Sequence, residues 1–443
     1  MKKLIITTLI TIISFIISIQ FFNFHHSIIL SIIAMLVTLW TNELLPLGVV
    51  SLLPILLFPS FNILSTNDVT SNYSKSIIFL FLGGFLVAIA TEKIGLHKVI
   101  ANKLLTIFPN TTKGVIFSLA FTSAILSSIL SNTTTALLLI PIAMFITDEI
   151  EIKKRLILAV AYGASIGGII TPIGTPPNLI YLGFLDDKAM QGINFIQWII
   201  LTTPLALTML IFMGFVLSYG YNKPLNLDIK TTTLSTDQKR LSFILIALIL
   251  LLLINSPIKP YYSGLGLNEK LILLGFGILM FIPKIGFLTW EDSKKIPFEI
   301  IFLFGAGFSI AMAFSNSGLA TVIANYLNNF STLSPYFLIL VVAIFITFTT
   351  EITSNTALIS IALPIIYALT QNTPQINPEI LLMTATIAAS YAFMLPISTP
   401  PNAIAMSSKA LKVKDMIKFG IIFNILGIIT LSLFAYFLWN SFI

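Results

Sequence analysis

Two short polar stretches lie inside very apolar sequence and are spaced like parts of a binding site: Ser131-Asn132-Thr133 and Ser354-Asn355-Thr356. A proline pair follows them 43 and 44 residues later, in Gly174-Thr175-Pro176-Pro177-Asn178 and Ser398-Thr399-Pro400-Pro401-Asn402. The first pair of stretches is 223 residues apart and the second pair is 224 residues apart. Because hydroxyl, amide and backbone oxygens recur in register, these stretches are the candidates for binding chemistry.

Interrupted helices explain how such stretches could bind ions. Where one helix ends and the next begins, the first offers free carbonyls and the second offers free amides. The amide end favours an anion, whereas carbonyl, hydroxyl and side-chain amide oxygens suit a hard cation such as Na⁺. Since proline breaks a helix, the proline pairs at 176–177 and 400–401 predict two spans that are each split into half-helices.

The composition predicts an all-α polytopic membrane protein. The chain has 443 residues, of which 57% are hydrophobic and 9% charged, and a mean hydropathy of +1.00; soluble domains carry about 25% charged residues. Basic residues that flank membrane spans account for the net charge of +7. No basic stripe is interleaved with aromatic residues, so nucleic-acid binding is set aside.

Apolar segments between charged or Pro/Gly/Asn breaks predict eleven transmembrane helices, at 4–22, 27–41, 44–60, 76–96, 156–184, 198–220, 241–257, 271–283, 298–316, 379–408 and 419–440. Segments 114–147 and 335–370 are each long enough for two helices but are split by a Ser-Asn-Thr stretch. We predict that these two segments are re-entrant hairpins. Segments 156–184 and 379–408 are the predicted broken helices.

The distribution of basic residues supports this topology. With the N-terminus in the cytoplasm, 20 of the 24 basic residues fall on the cytoplasmic side, and Lys75, Lys188, Lys259 and Lys270 remain outside. The C-terminus is then outside. The predicted organisation is N-terminal scaffold spans at 1–75, a first repeat at 76–220, a cytoplasmic linker at 221–240, and scaffold spans with the second repeat at 241–443.

An internal repeat connects the two halves. Residues 77–81 (IIFLF) recur at 300–304, and 99–102 (VIAN) recur at 322–325, at the offset of 223 that also separates the Ser-Asn-Thr stretches. In the predicted topology the first hairpin opens from the cytoplasm and the second from outside. Inverted-topology repeats with discontinuous helices at the binding site are the architecture of secondary transporters.

Charge is scarce inside the predicted membrane. The only arginines, Arg155 and Arg240, fall in cytoplasmic loops, so co-bound cations are the available charge compensation for a dianion. Glu351 is the sole acid well inside a membrane element, and we favour a structural role for it over a functional one. The sequence contains no phosphate-binding loop, metalloprotease motif or nucleophile–base pairing, and we expect no enzymatic activity and no cofactor other than Na⁺ as coupling ion.

The paired Ser-Asn-Thr and Thr-Pro-Pro-Asn motifs closely resemble those of the divalent anion:sodium symporter family, from about residue 27 to residue 440. The resemblance implies eleven spans, two re-entrant hairpins, a dimer-forming scaffold and a transport domain that moves as an elevator. Family members carry dicarboxylates, citrate or sulfate. Residues 221–240, the longest predicted loop, leave no room for the extra soluble domain of many sulfate-type members, which favours a carboxylate.

The resemblance also implies the site residues. One sodium site would comprise Ser127, Ser131, Asn132 and Gly174, and the other Thr350, Thr353, Asn355 and Ser398. Thr353 and Ser398 stand where we expect small residues that contribute backbone carbonyls. The substrate carboxylates would meet Asn132, Thr133 and Thr175 on one side, and Ser354, Asn355, Thr356, Thr399 and Pro400 on the other.

We therefore predict a homodimeric elevator transporter in a bacterial inner membrane that takes up C4-dicarboxylates (succinate, malate or fumarate) with Na⁺. A carrier of citrate, sulfate or phosphate, or a dicarboxylate exchanger with the same fold, is the nearest alternative. An anion channel or a non-transporting membrane sensor is the alternative of another class. The sequence alone does not fix the anion, the sodium stoichiometry or the choice between symport and exchange.

Overall fold

The computed structural model describes residues 2–42, 44–190, 192–225, 233–257, 261–326, 333–371, 373 and 375–439. Over these residues the chain is helical, with one isolated β-bridge between Thr111 and Pro224. Residues 226–232 of the predicted linker, which include Lys230, lie outside the described residues, as does Lys259.

Twenty α-helices follow one another: α1 (Lys2–Ser18), α2 (Phe24–Asn42), α3 (Leu47–Ser60), α4 (Thr66–Ser71), α5 (Ser76–Lys93), α6 (Leu96–Leu105), α7 (Thr112–Ser127), α8 (Asn132–Phe145), α9 (Ile150–Gly168), α10 (Pro176–Asp187), α11 (Phe195–Ser218), α12 (Thr236–Asn255), α13 (Glu269–Leu279), α14 (Phe298–Asn316), α15 (Leu319–Tyr326), α16 (Pro335–Thr350), α17 (Asn355–Thr370), α18 (Pro378–Ala388), α19 (Pro400–Ser407) and α20 (Val413–Leu433). A π-helical turn, Phe434–Leu438, extends α20.

Several helices are long and apolar enough to cross a membrane. Within the described ranges, five segments meet both conditions by length and composition: Phe24–Asn42, Thr66–Lys93, Phe195–Ser218, Phe298–Asn316 and Val413–Leu438. Shorter apolar helices, among them α3, α7, α8, α16, α17 and α18, accompany them. The chain is thus a multi-pass membrane protein, and the number of eleven spans stays a prediction.

The order of helices in the first repeat recurs in the second. Helices α7 and α16 are both 16 residues long and begin 223 residues apart, at Thr112 and Pro335. Helices α8 and α17 begin at the same offset, and α10 and α19 each begin at a proline pair. The sequence repeat therefore corresponds to a repeat of helices. The opposite orientation of the two copies in the membrane stays a prediction.

Glycines bring helix backbones into contact. A methyl group on Gly83 of α5 would lie 2.3 Å from the carbonyl oxygen of Leu273 on α13, and one on Gly167 of α9 would lie 2.3 Å from that of Ala124 on α7. Small residues permit this close packing between membrane helices. The α5–α13 pair and the α7–α9 pair are therefore rigid units, and α9 supports the first hairpin along its length.

The ends of the helices carry the charged residues. Lys93, at the end of α5, forms an ion pair of 2.6 Å with Asp292 in the short 3₁₀ helix Trp290–Lys295. The hydrogen bond from Lys93 and the one from the Thr289 amide lower the pKa of Asp292 to about 2. This contact fixes the loop before α14 to the end of α5.

Candidate cation and anion site

The first hairpin breaks at the Ser-Asn-Thr stretch, as predicted. Helix α7 ends at Ser127 and α8 begins at Asn132, with Ser131 as its N-cap residue. The Ser127 hydroxyl lies 2.5 Å from Asn132 Oδ1, and Ser131 Oγ accepts a hydrogen bond of 3.1 Å from the amide of Thr134. Two side-chain oxygens therefore meet where α7 gives way to α8.

The second hairpin repeats this geometry. Helix α16 ends at Thr350 and α17 begins at Asn355, with Ser354 as the N-cap residue. The Thr350 hydroxyl lies 2.7 Å from Asn355 Oδ1 and 2.9 Å from the carbonyl oxygen of Ala389. In both repeats a hydroxyl five residues before the asparagine contacts the asparagine's amide oxygen.

The first broken helix also follows the prediction. Helix α9 ends at Gly168, residues 169–175 are non-helical, and α10 begins at Pro176. Asn178, which is completely buried, donates hydrogen bonds to the carbonyls of Gly168 (3.1 Å) and Thr171 (2.9 Å). The Thr171 hydroxyl in turn donates to the carbonyl of Ser128. The break is thus tied to the hairpin of its own repeat.

The second broken helix has a longer interruption than the proline pair alone predicts. Helix α18 ends at Ala388 and α19 begins at Pro400, so residues 389–399 are non-helical. Completely buried Asn402 donates to the carbonyls of Ala392 (2.9 Å) and Leu395 (3.1 Å). Because side chains satisfy its backbone groups, this segment can remain extended inside the protein.

Close contacts bring the first predicted sodium residues together. A methyl group on Gly168 would lie 3.0 Å from Asn132 Oδ1 and 3.3 Å from Cβ of Thr175. One on Gly174 would lie 2.5 Å from the carbonyl oxygen of Gly168. Asn132, Gly174 and Thr175 therefore surround Gly168, and Ser127 joins them through its contact with Asn132. Any larger residue at either glycine would fill this space.

The remaining predicted residues occupy the ends of the same helices. Thr133 and Thr356 lie in the first turns of α8 and α17, and Thr399 is the N-cap residue of α19, where it accepts a hydrogen bond of 3.4 Å from the amide of Asn402. Pro400 is the exposed first residue of α19. The contacts of these residues with substrate stay predictions.

Thr353 and Ser398 use their hydroxyls locally. Thr353 Oγ1 donates to the carbonyl of Thr349 (2.9 Å), and Ser398 Oγ donates to that of Leu395 (2.6 Å). Both are thus available to a ligand mainly through their backbone carbonyls, as the sequence predicts.

The two repeats exchange helices around the site. Helix α10, which follows the first break, packs against α17 of the second hairpin and against α18. Helix α19, which follows the second break, packs against α8 of the first hairpin and against α9. Each half-helix that begins at a proline pair therefore contacts the hairpin of the other repeat. Direct proximity of Asn132 and Asn355 stays a prediction.

Glu351 holds the second hairpin to the second break. Its carboxylate accepts hydrogen bonds from the amides of Met394 (2.8 Å) and Leu395 (3.0 Å) and from Asn424 Nδ2 on α20 (2.7 Å). The side chain is 3% exposed. These three donors support the structural role that the sequence favours for this residue.

Sequence reasoning assigned no role to Asn178, Asn402 or Asn424. The first two could have been found, because an asparagine ends each proline motif at the same spacing. Asn424 lies on α20 and has no comparable pattern around it, so its contact with Glu351 is visible only in three dimensions.

Basic side chains are engaged elsewhere. Arg155 donates to the carbonyl of Leu217 (2.7 Å), and Arg240 donates to that of Lys284 (2.6 Å). Among the described residues, the ion pairs and hydrogen bonds of the lysine and arginine side chains all go to residues outside the two hairpin breaks and the two broken helices' interruptions. The positive ends of four helices, α8, α10, α17 and α19, are what the protein presents there.

Comparisons with known proteins agree with this geometry. The family model described as "Citrate transporter" (CitMHS) matches residues 33–388. A sodium-dependent dicarboxylate transporter, SdcS, of Staphylococcus saprophyticus is 31% identical, and the alignment covers 93% of this chain and 85% of that protein. The SdcS of a Staphylococcus aureus strain is 30% identical with the same coverage.

Two solved structures share the fold. The MtrF efflux pump of Neisseria gonorrhoeae has a TM-score of 0.63 at 13% identity, over 91% of this chain and 97% of that one. The YdaH transporter of Alcanivorax borkumensis has a TM-score of 0.57 at 15% identity, over 84% of this chain and 87% of that one. Both are similar in architecture alone. Together with the family model and the two relatives, they show that this chain is a membrane transporter that belongs to the divalent anion:sodium symporter family.

Proposed function

We propose that the chain takes up C4-dicarboxylates such as succinate, malate or fumarate together with Na⁺. The observation that carries this proposal is the duplicated contact between a hydroxyl and an asparagine amide oxygen, Ser127 with Asn132 and Thr350 with Asn355, each at the start of a helix. The two staphylococcal relatives are named as sodium-dependent dicarboxylate transporters, which supports the choice of ion and of substrate.

Each hairpin break would hold one cation. At the first, Ser127, Ser131, Asn132 and the carbonyl of Gly174 would supply oxygen ligands; at the second, Thr350, Thr353, Asn355 and Ser398 would do so. Unwound carbonyls and half-helix ends coordinate Na⁺ in transporters with broken helices. The hydroxyl proton that now points at the asparagine oxygen can rotate away, so that both oxygens face the ion.

The dianion would bind between the two repeats. Asn132, Thr133 and Thr175 would contact one carboxylate, and Ser354, Asn355, Thr356, Thr399 and Pro400 the other. The N-terminal ends of helices carry roughly half a positive charge each, and two sodium ions add the remaining compensation that basic side chains do not supply. Sodium would bind first, because without it the dianion faces uncompensated oxygen atoms.

Transport would then move the loaded site across the bilayer. The proposal includes the family's elevator motion, a homodimer held by the scaffold spans, eleven spans with two re-entrant hairpins, and a location in the inner membrane with the N-terminus in the cytoplasm. The exchange of α10 and α19 between repeats supports movement of the site as one body, because each repeat carries half of the other's wall.

Uptake of labelled succinate into proteoliposomes tests the proposal. We expect uptake driven by an inward sodium gradient and abolished when potassium replaces sodium. Unlabelled malate and fumarate should compete; unlabelled citrate, sulfate and phosphate serve as the comparison set, since the family model carries the description of a citrate transporter. Uptake that ignores sodium would refute the symport and favour an exchanger with this fold.

A further inference from the structure

The asparagine that ends each proline motif forms the same clamp in both repeats. Asn178 Nδ2 donates to the carbonyls 10 and 7 residues before it, those of Gly168 and Thr171. Asn402 Nδ2 donates to the carbonyls 10 and 7 residues before it, those of Ala392 and Leu395. Two breaks of different length, 169–175 and 389–399, are thus closed by one pattern.

Both clamps lie deep in the protein. Asn178 and Asn402 are 0% exposed, and the Oδ1 atom of each has no hydrogen-bond partner among the described residues. A buried amide with an unpaired oxygen is costly. The chain carries this cost twice, at matching positions, where an alanine would also fit a helix. Helix packing alone does not require two amides at this point.

The clamped carbonyls lie beside the proposed cation ligands. Gly168, whose carbonyl Asn178 holds, contacts Asn132 and Gly174. In the second repeat, Asn402 donates to Ser398 Oγ as well (3.1 Å). Each asparagine therefore fixes the path of the backbone on which Gly174 or Ser398 presents its carbonyl.

We propose that Asn178 and Asn402 are positioning residues, one for each sodium site, that act through the NH₂ group by holding the interrupted backbone in its ligating shape. This inference rests on the proposed sodium coupling and adds the residues that set sodium affinity. Without the clamp, residues 169–175 or 389–399 keep the same oxygens but lose their fixed directions. Loss of groups that orient metal ligands typically weakens metal affinity about 10- to 100-fold.

The test measures sodium affinity in two ways: the sodium concentration for half-maximal succinate uptake, and the sodium concentration for half of the sodium-induced rise in melting temperature of the purified full-length protein. Asn178→Ala and Asn402→Ala should each raise both midpoints about 10- to 100-fold. Asn255→Ala is the matched control. Asn255 is 6% exposed and holds Leu267 through two hydrogen bonds, of 2.8 and 2.9 Å, far from the motifs in sequence.

The control should melt at a lower temperature while its sodium midpoints stay at the wild-type value. Asn178→Asp and Asn402→Asp separate positioning from direct ligation, because aspartate keeps the oxygen and loses both N–H donors. Positioning predicts weaker sodium binding in these variants; unchanged or tighter binding would overturn it. If an alanine variant does not fold, Asn178→Ser and Asn402→Ser, which keep one donor, decide in its place.

The outcomes distinguish this inference from the proposed function. A wild-type protein that shows no sodium-dependent uptake and no sodium-dependent stabilisation removes the proposed function itself. A wild type that responds to sodium, together with folded Asn178 and Asn402 variants whose midpoints equal the wild-type values, overturns the clamp alone.

Discussion

Replacing Glu351 should destabilise the second repeat in graded steps. In the alanine variant, three buried or half-buried donors lose their acceptor: the amides of Met394 and Leu395 and Asn424 Nδ2. An unsatisfied donor costs about 1–3 kcal/mol. Because Met394 and Leu395 are half-buried, water can reach them, and removal of a buried charge returns part of the cost. We expect a net loss of about 2–4 kcal/mol.

Glutamine at position 351 should have a smaller effect. Glu351 Oε1 accepts from both Met394 and Asn424, whereas Oε2 accepts from Leu395 alone. A glutamine whose oxygen takes the Oε1 position loses only the bond to Leu395, where its NH₂ group then faces a donor. The expected cost is about 1–2 kcal/mol.

Thermal unfolding of the purified variants in sodium-free buffer measures this order. The melting temperature should fall from wild type to Glu351→Gln and again to Glu351→Ala. A Glu351→Ala protein that melts like wild type would refute the structural role. A Glu351→Gln protein with an unchanged sodium-free melting temperature and a shifted sodium midpoint would place the carboxylate at the cation instead.

Two further predictions concern the site and its motion. Asn132→Ala and Asn355→Ala should each abolish succinate uptake while the protein stays folded, because each removes the amide oxygen that its hairpin contributes; near-normal uptake by either would overturn the site assignment. Lys75, beside α5, forms an ion pair with Asp187 at the end of α10. Since the chain has no cysteine, the double variant Lys75→Cys/Asp187→Cys can be bridged with a bifunctional maleimide, which should stop uptake that returns when a cleavable bridge is cut. Full uptake in the bridged protein would contradict an elevator motion of α10 relative to α5.

The positions of the helix breaks could be predicted from the sequence. Ser131 and Ser354 are strong N-cap residues and the proline pairs start helices, so local chemistry alone sets where α8, α17, α10 and α19 begin. The recurrence of these motifs at one offset also predicted the repeat of helices. Both are local signals that one chain displays in full.

The length of the second interruption could not be predicted, because distant residues determine it. Residues 389–399 stay non-helical since Glu351, which is more than 40 positions away, accepts their amides, and Asn402 accepts none but donates to their carbonyls. The first repeat has Ser128 at the position of Glu351, and its interruption is four residues shorter. Which acceptor reaches which amide is a property of packing.

The clamps were missed for a similar reason. Asn178 and Asn402 appear in the sequence as the last letters of a motif, and a third residue of a helix often has no role beyond its first turn. Their contacts run backwards across the interruption, to carbonyls that become free only because the helix stops. The function of the asparagine thus depends on the break that the prolines create.

The sodium dependence of succinate uptake tests the central claim most directly. Two hairpin breaks with matching ligands, both required to offset one dianion, predict that the initial rate rises sigmoidally with sodium concentration, with a Hill coefficient above one, and that it falls to background when sodium is absent. A hyperbolic dependence would indicate that a single cation suffices. An initial rate that does not change with sodium would contradict the account as a whole.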